Sequence, residues 1–298
     1  MPHLLKNNKL EILIDLPLEN YNAPRFDWTG KITDVKYQNS SLASKERTDF
    51  QQEENKLGKG YYNEFGIEAA LGFEETKLGG WFHKIGVGLL KKEDNEYLFN
   101  KNYEIQPADF KVYTESKKII ITCTSKIENG YAYFLKKEIE LQESGFTINY
   151  HLQNTGEKNI NTHEYVHNFL AINNDLMGPN YLLKFPFQIK PELFGETVNP
   201  AAKVAIGQQQ VSFNGMPKEQ FFFSNLSGNK PVKAAWELRH LKSKIRIKES
   251  GNFQTQKINL WGWGHVISPE LFINLFIRPK ASTAWTRTYK IDKIKNNK

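Results

Sequence analysis

Apolar and polar residues alternate with a period of two along much of this chain, a pattern typical of β-strands with one buried face. The alternation is clearest in residues 131–141 and 146–152, which a short turn at 143–145 separates. These two segments predict a β-hairpin. Shorter strand-like runs are found at 12–16, 119–124, 181–187, 232–238, 243–247, 271–277 and 285–291.

Helix signals are weak by comparison. No segment carries a long apolar stripe with a period of 3.6 residues and a cap at each end, and no repeat or Pro-, Gly- or Ser-rich linker interrupts the chain. A chain of 298 residues can bury a large core, and all-β folds of this length can form one unit. We therefore predict an all-β protein in which residues 1–298 form a single antiparallel sandwich domain, with a ligand in a concave face.

Charge and composition narrow the range of partners. The formal net charge is +7, but the lysines are scattered, which indicates a solvated surface more than a nucleic-acid-binding stripe. No apolar run reaches the roughly 18 residues of a membrane helix, and no signal peptide is visible. We expect a cytoplasmic protein, a monomer or weak dimer, without nucleic-acid or membrane partners. The one cysteine, Cys123, lies in an apolar run and is predicted to be a buried thiol.

Two short segments carry the candidate chemistry. The first contains His163 and His167, whose imidazoles can exchange a proton near neutral pH. The second contains Glu270, a carboxylate directly before the apolar run 271–277 and therefore expected at the head of that strand. A histidine and a carboxylate in one cleft can act as a general acid and base.

The first segment also matches the zinc-protease pattern H-E-x-x-H, with Glu164 between the two histidines. That chemistry needs a helix, because in a strand the two imidazoles lie about 13 Å apart at about 3.3 Å per residue. The hairpin before this segment and the turn at Gly156 favour a strand. A zinc metalloprotease is therefore kept as a remote alternative.

Several motifs in order resemble a known superfamily. They are Arg25-Phe26-Asp27-Trp28-Thr29-Gly30, the segments 62–67 and 79–88, Tyr165-Val166-His167-Asn168-Phe169, Ser268-Pro269-Glu270 and the segment 285–289. Over roughly residues 20 to 290 the chain resembles the galactose mutarotase-like, or aldose 1-epimerase, superfamily. The resemblance implies an antiparallel β-supersandwich and an isomerase that interconverts the α and β anomers of an aldose, with no metal or other cofactor.

The resemblance also implies roles for individual residues. By motif position, His167 would be the general acid and Glu270 the general base, and a nearby carboxylate would raise the histidine pKa and keep the imidazole charged. Further contacts to the sugar are expected from His163, His83, Arg25 and Lys84.

The chain departs from the better-known galactose enzymes in two places. It lacks their His-Gly-Gly segment, and it has His83-Lys84 where they have Asn-Arg. The identity of the sugar therefore stays open. A sugar phosphate or acid sugar is one alternative substrate, and a non-catalytic carbohydrate-binding protein of the same fold is an alternative function.

Overall fold

The computed structural model describes residues 2–49 and 53–294. The first half of the chain forms the strands β1 (His3–Lys6), β2 (Leu10–Asp15), β3 (Lys31–Tyr37), β4 (Ser40–Ser41), β5 (Tyr61–Phe65), β6 (Trp81–Lys84), β7 (Gly88–Lys91), β8 (Ile105–Pro107), β9 (Asp109–Thr114), β10 (Lys118–Thr124), β11 (Tyr133–Gln142) and β12 (Gly145–Asn154).

The second half forms the strands β13 (Ile160–Asn168), β14 (Tyr181–Lys184), β15 (Thr197–Val198), β16 (Val204–Ile206), β17 (Gln210–Phe213), β18 (Phe221–Phe223), β19 (Val232–His240), β20 (Ile245–Thr255), β21 (Ile258–Trp263), β22 (Val266–Leu271), β23 (Ile273–Ile277) and β24 (Ser282–Lys293). The helical segments of these residues are two 3-10 turns, Glu54–Lys56 and Pro191–Leu193. No helix in the described ranges is long and apolar enough to cross a membrane.

Within the described residues, the strands form four antiparallel sheets. The large sheet has the order β16-β17-β14-β19-β20-β24-β12-β11-β10-β9, and the second sheet the order β1-β2-β3-β5-β13-β23 with β4 beside β3. The small sheet is β15-β18-β21-β22, and the fourth is β6-β7-β8. The chain is therefore all-β, as predicted.

The predicted hairpin is confirmed: β11 and β12 pair from Tyr133 opposite Asn154 to Gln142 opposite Gly145. Their apolar residues face the second sheet, where Tyr61 of β5 contacts the ring of Phe146 of β12 across the interface. Tyr61 and Phe65 also contact the rings of Tyr289 and Trp285 of the neighbouring strand β24. This burial of alternate apolar side chains from two facing sheets forms the main core. Cys123 belongs to it and is buried, as expected.

The predicted strand 271–277 is wrong in one respect. It consists of two strands, because β22 ends at Leu271 in the small sheet and β23 begins at Ile273 in the second sheet. Glu270 therefore does not stand at the head of an apolar strand but near the end of β22, opposite Asn259 of β21. Pro269 is compatible with this strand because β22 lies at the edge of its sheet, where one side of the strand needs no ladder hydrogen bonds.

An ion cluster is buried between the large and second sheets. It consists of Arg287 on β24, Glu164 on β13 and Glu249 on β20, all at most 1% exposed. The Arg287 guanidinium donates to Glu164 Oε2 and to Glu249 Oε1, each at 2.7 Å. Indole N–H groups of Trp285 and Trp236 donate to the same two carboxylates. Each charged group of the cluster therefore has hydrogen-bond partners within the protein, as a buried charge requires.

We expect Arg287→Met to destabilise the fold strongly, by about 3–5 kcal/mol, because it leaves two buried carboxylates without their cation. The free energy of unfolding from urea titrations measures this effect. Arg246→Met is the matched control: Arg246 also pairs with a carboxylate of the large sheet, Asp292 at 2.7 Å, but both side chains are partly exposed. The control should lose about 1 kcal/mol or less. Equal losses in the two variants would contradict the importance of the buried cluster.

Candidate functional site

A cavity of about 630 Å³ opens beside the second and small sheets. Its described walls include Tyr165 and His167 of β13, Glu270 of β22, and Asn259 and Trp261 of β21. The remaining lining residues come from five loops and β18: Tyr21, Ala23, Pro24, Arg25, Glu46, Arg47, Glu53, Lys56, Ile67, Phe99, Asn100, Lys101, Asn102, Gln220 and Phe222. Amides, charges and aromatic rings thus surround a space large enough for a small polar molecule.

The alternation of β13 explains why His167 reaches this cavity. Glu164, Val166 and Asn168 point to the large sheet, where they contact Arg287, the apolar core and Glu249, respectively. Side chains of a strand alternate between faces, so Tyr165 and His167 point the other way. Both line the cavity. The buried ion cluster therefore sets which residues of β13 face the site.

His167 is held by aromatic rings. Its imidazole stacks on Phe169 with ring centroids 4.0 Å apart and meets the edge of Trp261 at 5.1 Å. Nδ1 is buried and has no hydrogen-bond partner among the described residues. Nε2 lies 3.4 Å from Glu270 Oε1. The imidazole is thus positioned by packing, and one of its nitrogens faces the carboxyl group.

Main-chain contacts fix the distance between β13 and β22. Just after β13, Leu170 and Ile267 form an antiparallel bridge with two N–H···O bonds of 3.0 Å. The Asn168 amide also donates to the carbonyl of Pro269 at 2.8 Å. The Ser268 hydroxyl lies 3.4 Å from Glu270 Oε1 and can donate a hydrogen bond to that oxygen. The two strands, and with them His167 and Glu270, are therefore connected by backbone hydrogen bonds as well as by side chains.

Burial controls the protonation of the pair. It raises the pKa of Glu270 to about 8, and it lowers the pKa of His167 well below its usual value, with a further lowering from Arg25. The sequence-based expectation that a nearby carboxylate would keep His167 charged is therefore wrong. Removal of both groups from water outweighs their mutual attraction, and the neutral forms are favoured near pH 7.

Arg25 lines the cavity, but its guanidinium is bound to neighbouring side chains. It donates to Glu64 Oε2 at 2.9 Å and to Glu46 Oε1 at 2.7 Å. Phe26 and Phe99 each lie within 5 Å of its guanidinium carbon, measured to the ring centroid. Arg25 is therefore a rigid part of the wall, with neighbouring carboxylates that balance its charge.

The structure does not bring the other three candidate residues to the cavity lining. Lys84 is buried behind the wall, where its ammonium contacts Tyr97 Oη at 2.9 Å and Glu64 Oε1 at 3.3 Å. The His83 ring packs between Tyr131 and Tyr133, and burial lowers its pKa to about 4. His163 Nε2 accepts a hydrogen bond from the N–H of Ile67, and Ile67 itself lines the cavity.

The H-E-x-x-H segment is a strand, not a helix. Its two histidines lie on one face about 13 Å apart at the usual strand rise. Glu164 points to the opposite face, into the buried ion cluster. In the parts of the chain that the structure describes, no group of three or more His, Cys, Asp or Glu side chains could hold a metal ion. The strand geometry does not fit the zinc-protease arrangement.

Sequence reasoning missed two residues of the wall, Asn259 and Trp261, and one buried residue behind it, Glu64. Glu64 accepts hydrogen bonds from both Tyr165 Oη, at 2.7 Å, and Arg25. Asn259 and Trp261 lie on β21, opposite Glu270 and Ser268. The hairpin of β21 and β22 turns at Gly264-His265, and that turn fixes which residues oppose each other. Recognition of this hairpin in the sequence would have found Asn259 and Trp261, whereas the motif at 62–67 contains Glu64 but does not single it out.

Neither the family models nor the curated proteins compared with this chain match it. Solved structures do. A protein from Synechocystis sp. PCC 6803 is 12% identical, with a TM-score of 0.60, over 98% of this chain and 96% of that one. A galactose mutarotase-like protein from Clostridium acetobutylicum is 13% identical, with a TM-score of 0.58, over 98% and 95%. A galactose mutarotase related enzyme from Lactobacillus acidophilus is 11% identical, with a TM-score of 0.57, over 99% and 100%.

At such identities the similarity establishes the fold. The chain is an antiparallel β-supersandwich of the galactose mutarotase-like type, and the fold that the sequence motifs implied is confirmed. The matches extend over nearly the whole length of both chains in each comparison.

The raised pKa of Glu270 has a consequence for stability. Between pH 4.5, its ordinary pKa, and about pH 8, the folded protein keeps a proton that the unfolded chain releases. Raising the pH through this window therefore favours unfolding. We expect Glu270→Gln to remove this contribution, so that the variant gains stability relative to the wild type from pH 5 to pH 8 and no further above it.

Urea unfolding at pH 5, 6, 7, 8 and 9 measures the difference. Glu157→Gln, which changes an exposed carboxylate, is the control and should parallel the wild type. Parallel curves for wild type and Glu270→Gln would contradict the raised pKa.

Proposed function

We propose that this protein is an aldose 1-epimerase-like mutarotase that interconverts the α and β anomers of an aldose. The observation that carries the proposal is the distance of 3.4 Å between His167 Nε2 and Glu270 Oε1 at the wall of one cavity. The anomeric hydroxyl and the ring oxygen of a pyranose are bonded to the same carbon. Two groups that serve them must lie within a few ångströms of each other, as these do.

The chemistry needs one exchangeable proton on the pair. When the ring opens, one group donates a proton to the ring oxygen while the other removes the proton of the anomeric hydroxyl. After rotation about C1–C2, both transfers reverse and the ring closes to the other anomer. The pair therefore alternates between its neutral state and an ion pair of imidazolium and carboxylate. The general-acid role proposed for His167 and the general-base role proposed for Glu270 belong to the half of this cycle that starts from the ion pair.

The surrounding wall suits a sugar. Trp261 offers an aromatic face, and Asn100, Asn102 and Gln220 offer amides for hydroxyl groups. Arg25 retains N–H groups beyond those bound to Glu46 and Glu64 and is proposed to contact the ligand. His163, His83 and Lys84 are proposed to act from behind the lining, through Ile67, the aromatic packing and Glu64, respectively.

The charges favour an uncharged aldose over a sugar phosphate or acid sugar. The cations of the described lining are Arg25, Arg47, Lys56 and Lys101, and each contacts a carboxylate. Arg47 pairs with Asp49, Lys56 with Glu53, and Lys101 with Glu93 and Asp94. An anionic substrate would need cations that are free to turn toward it, so the neutral substrate is the one we propose.

We expect His167→Ala and Glu270→Gln each to lower the rate of enzymatic mutarotation by about 10²-fold or more, the usual scale of general acid–base contributions. Polarimetry on freshly dissolved α-D-glucose and α-D-galactose measures the rate, and circular dichroism checks the fold of each variant. Glu157→Gln is a control with an unchanged rate. Near-wild-type rates in both variants would reject the roles assigned to the pair.

The same assay separates the enzyme from a carbohydrate-binding protein of the same fold. A binding protein leaves the spontaneous rate of mutarotation unchanged at micromolar concentration, while isothermal titration still detects the sugar. Acceleration by the wild type supports the isomerase, and its absence together with sugar binding would overturn it.

We also expect kcat/KM to fall as the pH rises above about 8. Glu270 has the higher pKa of the pair, about 8, so above this pH the pair loses the one proton that either half of the cycle requires. Initial rates between pH 5 and pH 10, corrected for the spontaneous reaction in each buffer, measure this profile. Activity that continues to rise beyond pH 9 would contradict it.

A further inference from the structure

We infer that Asn259 recognises the hydroxyl group on the carbon next to the anomeric carbon, the C2 hydroxyl, and so makes this group a determinant of specificity. This inference rests on the proposed function. Asn259 lines the same cavity as His167 and Glu270 and is 6% exposed. It takes no part in the proton transfers described above.

The position of Asn259 follows from strand register. In the antiparallel pair of β21 and β22, Asn259 is directly opposite Glu270. Directly opposed residues have their side chains on one face of the sheet, with Cβ atoms about 4.5–5.5 Å apart. The Asn259 side chain therefore lies beside that of Glu270 on the same face of the small sheet.

The orientation of the amide follows from its one hydrogen bond. Asn259 Oδ1 accepts the backbone N–H of Asn225 at 3.3 Å. A backbone N–H can only donate, so the atom facing it must be the amide oxygen, and the NH₂ group points elsewhere. Among the described residues, this NH₂ group makes no hydrogen bond. It is also absent from the fully buried polar atoms that lack a partner, so it retains access to the cavity. It is a free donor at the wall of the cavity.

The turn that holds Asn259 is itself fixed to the small sheet. Leu226, next to Asn225, donates its N–H to the carbonyl of Ile258 at 2.9 Å, and the N–H of Gly228 closes the turn on Asn225 O at 2.7 Å. Asn225 has a φ of +57°, a conformation that asparagine tolerates better than most residues. The amide is therefore held in one orientation before a ligand arrives, which reduces the entropy lost on binding.

Sugar geometry identifies the group that this donor meets. The anomeric carbon has two ring neighbours, the ring oxygen and C2. With the His167–Glu270 pair serving the ring oxygen and the anomeric hydroxyl, a donor beside Glu270 reaches the substituent of C2. A hydroxyl there accepts the amide N–H, whereas a 2-deoxy sugar leaves a nearly buried donor unpaired. Sites built to hydrogen-bond a hydroxyl discriminate against the analogue that lacks it.

The experiment compares D-glucose with 2-deoxy-D-glucose, and D-galactose with 2-deoxy-D-galactose, by polarimetry. For the wild type we expect kcat/KM for the parent sugar to exceed that for the 2-deoxy sugar by about 10-fold, the value of one hydrogen bond of about 1.4 kcal/mol. For Asn259→Ala we expect kcat/KM for the parent sugar to fall by about 10-fold, while kcat/KM for the 2-deoxy sugar changes by less than about 2-fold.

Two further variants separate recognition from folding. Asn259→Asp keeps the acceptor for the Asn225 N–H but lacks the donor, so it should also lose the preference for the parent sugar. The preference is the ratio of kcat/KM for the parent sugar to kcat/KM for the 2-deoxy sugar, both measured on the same variant. A change in the pKa of Glu270 affects both sugars and therefore cancels from this ratio. Asn252→Ala removes an asparagine whose oxygen accepts the N–H of Thr286 at 2.9 Å outside the cavity, and it should keep the wild-type ratio.

Equal losses on parent and 2-deoxy sugars in Asn259→Ala and Asn259→Asp would overturn the role of Asn259 and leave the proposed function intact. A wild type that accelerates neither parent sugar would overturn the proposed function and this inference with it.

Discussion

The arrangement of the site depends on a buried guanidinium. Arg287 joins β24 and, through Glu249, β20 of the large sheet to Glu164 of the second sheet. A charge in this position is tolerated only when its partners are correctly placed, so the cluster specifies the pairing of the sheets as well as contributing to stability. Because Glu164 must face Arg287, the odd-numbered residues of β13 lie on the opposite face, where Tyr165 and His167 line the cavity. A slip of one residue would turn His167 into the core and expose Glu164, which the cluster makes costly.

Much of the fold could be read from the sequence because its strands are long and half-buried. Burial alternates along most of both strands of the hairpin of β11 and β12, and apolar residues follow it except at the buried Lys137. The strands around Glu270 could not be read in the same way. β22 is buried at all six positions, and only Phe272 separates it from β23, so the two strands appear as one apolar run. Local pattern cannot locate a change of sheet within such a run.

The residues of the candidate site were also predicted only in part. His167, Glu270 and Arg25 lie at the cavity wall, and short motifs pointed to each of them. Lys84 and His83 lie in a motif too, but the Lys84 ammonium is buried against Glu64, and the His83 ring packs against Tyr133. The protonation states of His167 and Glu270 could not be predicted from the sequence. A sequence supplies the charges of neighbouring residues but not the depth of burial, and here burial outweighs the attraction between the two groups.

Because of the backbone bridge between Leu170 and Ile267, the spacing of His167 and Glu270 does not depend on the loops that line the cavity. The spacing of His167 and Glu270 is set by main-chain hydrogen bonds between β22 and the residue Leu170 just after β13, whereas most of the outer lining comes from loops such as 99–102. Substitutions or insertions in those loops would change what the cavity admits without moving His167 or Glu270. A scaffold of this kind can therefore diversify its ligands during evolution while the spacing of this pair is preserved, and the same property makes the loops the natural place to redirect selectivity by engineering.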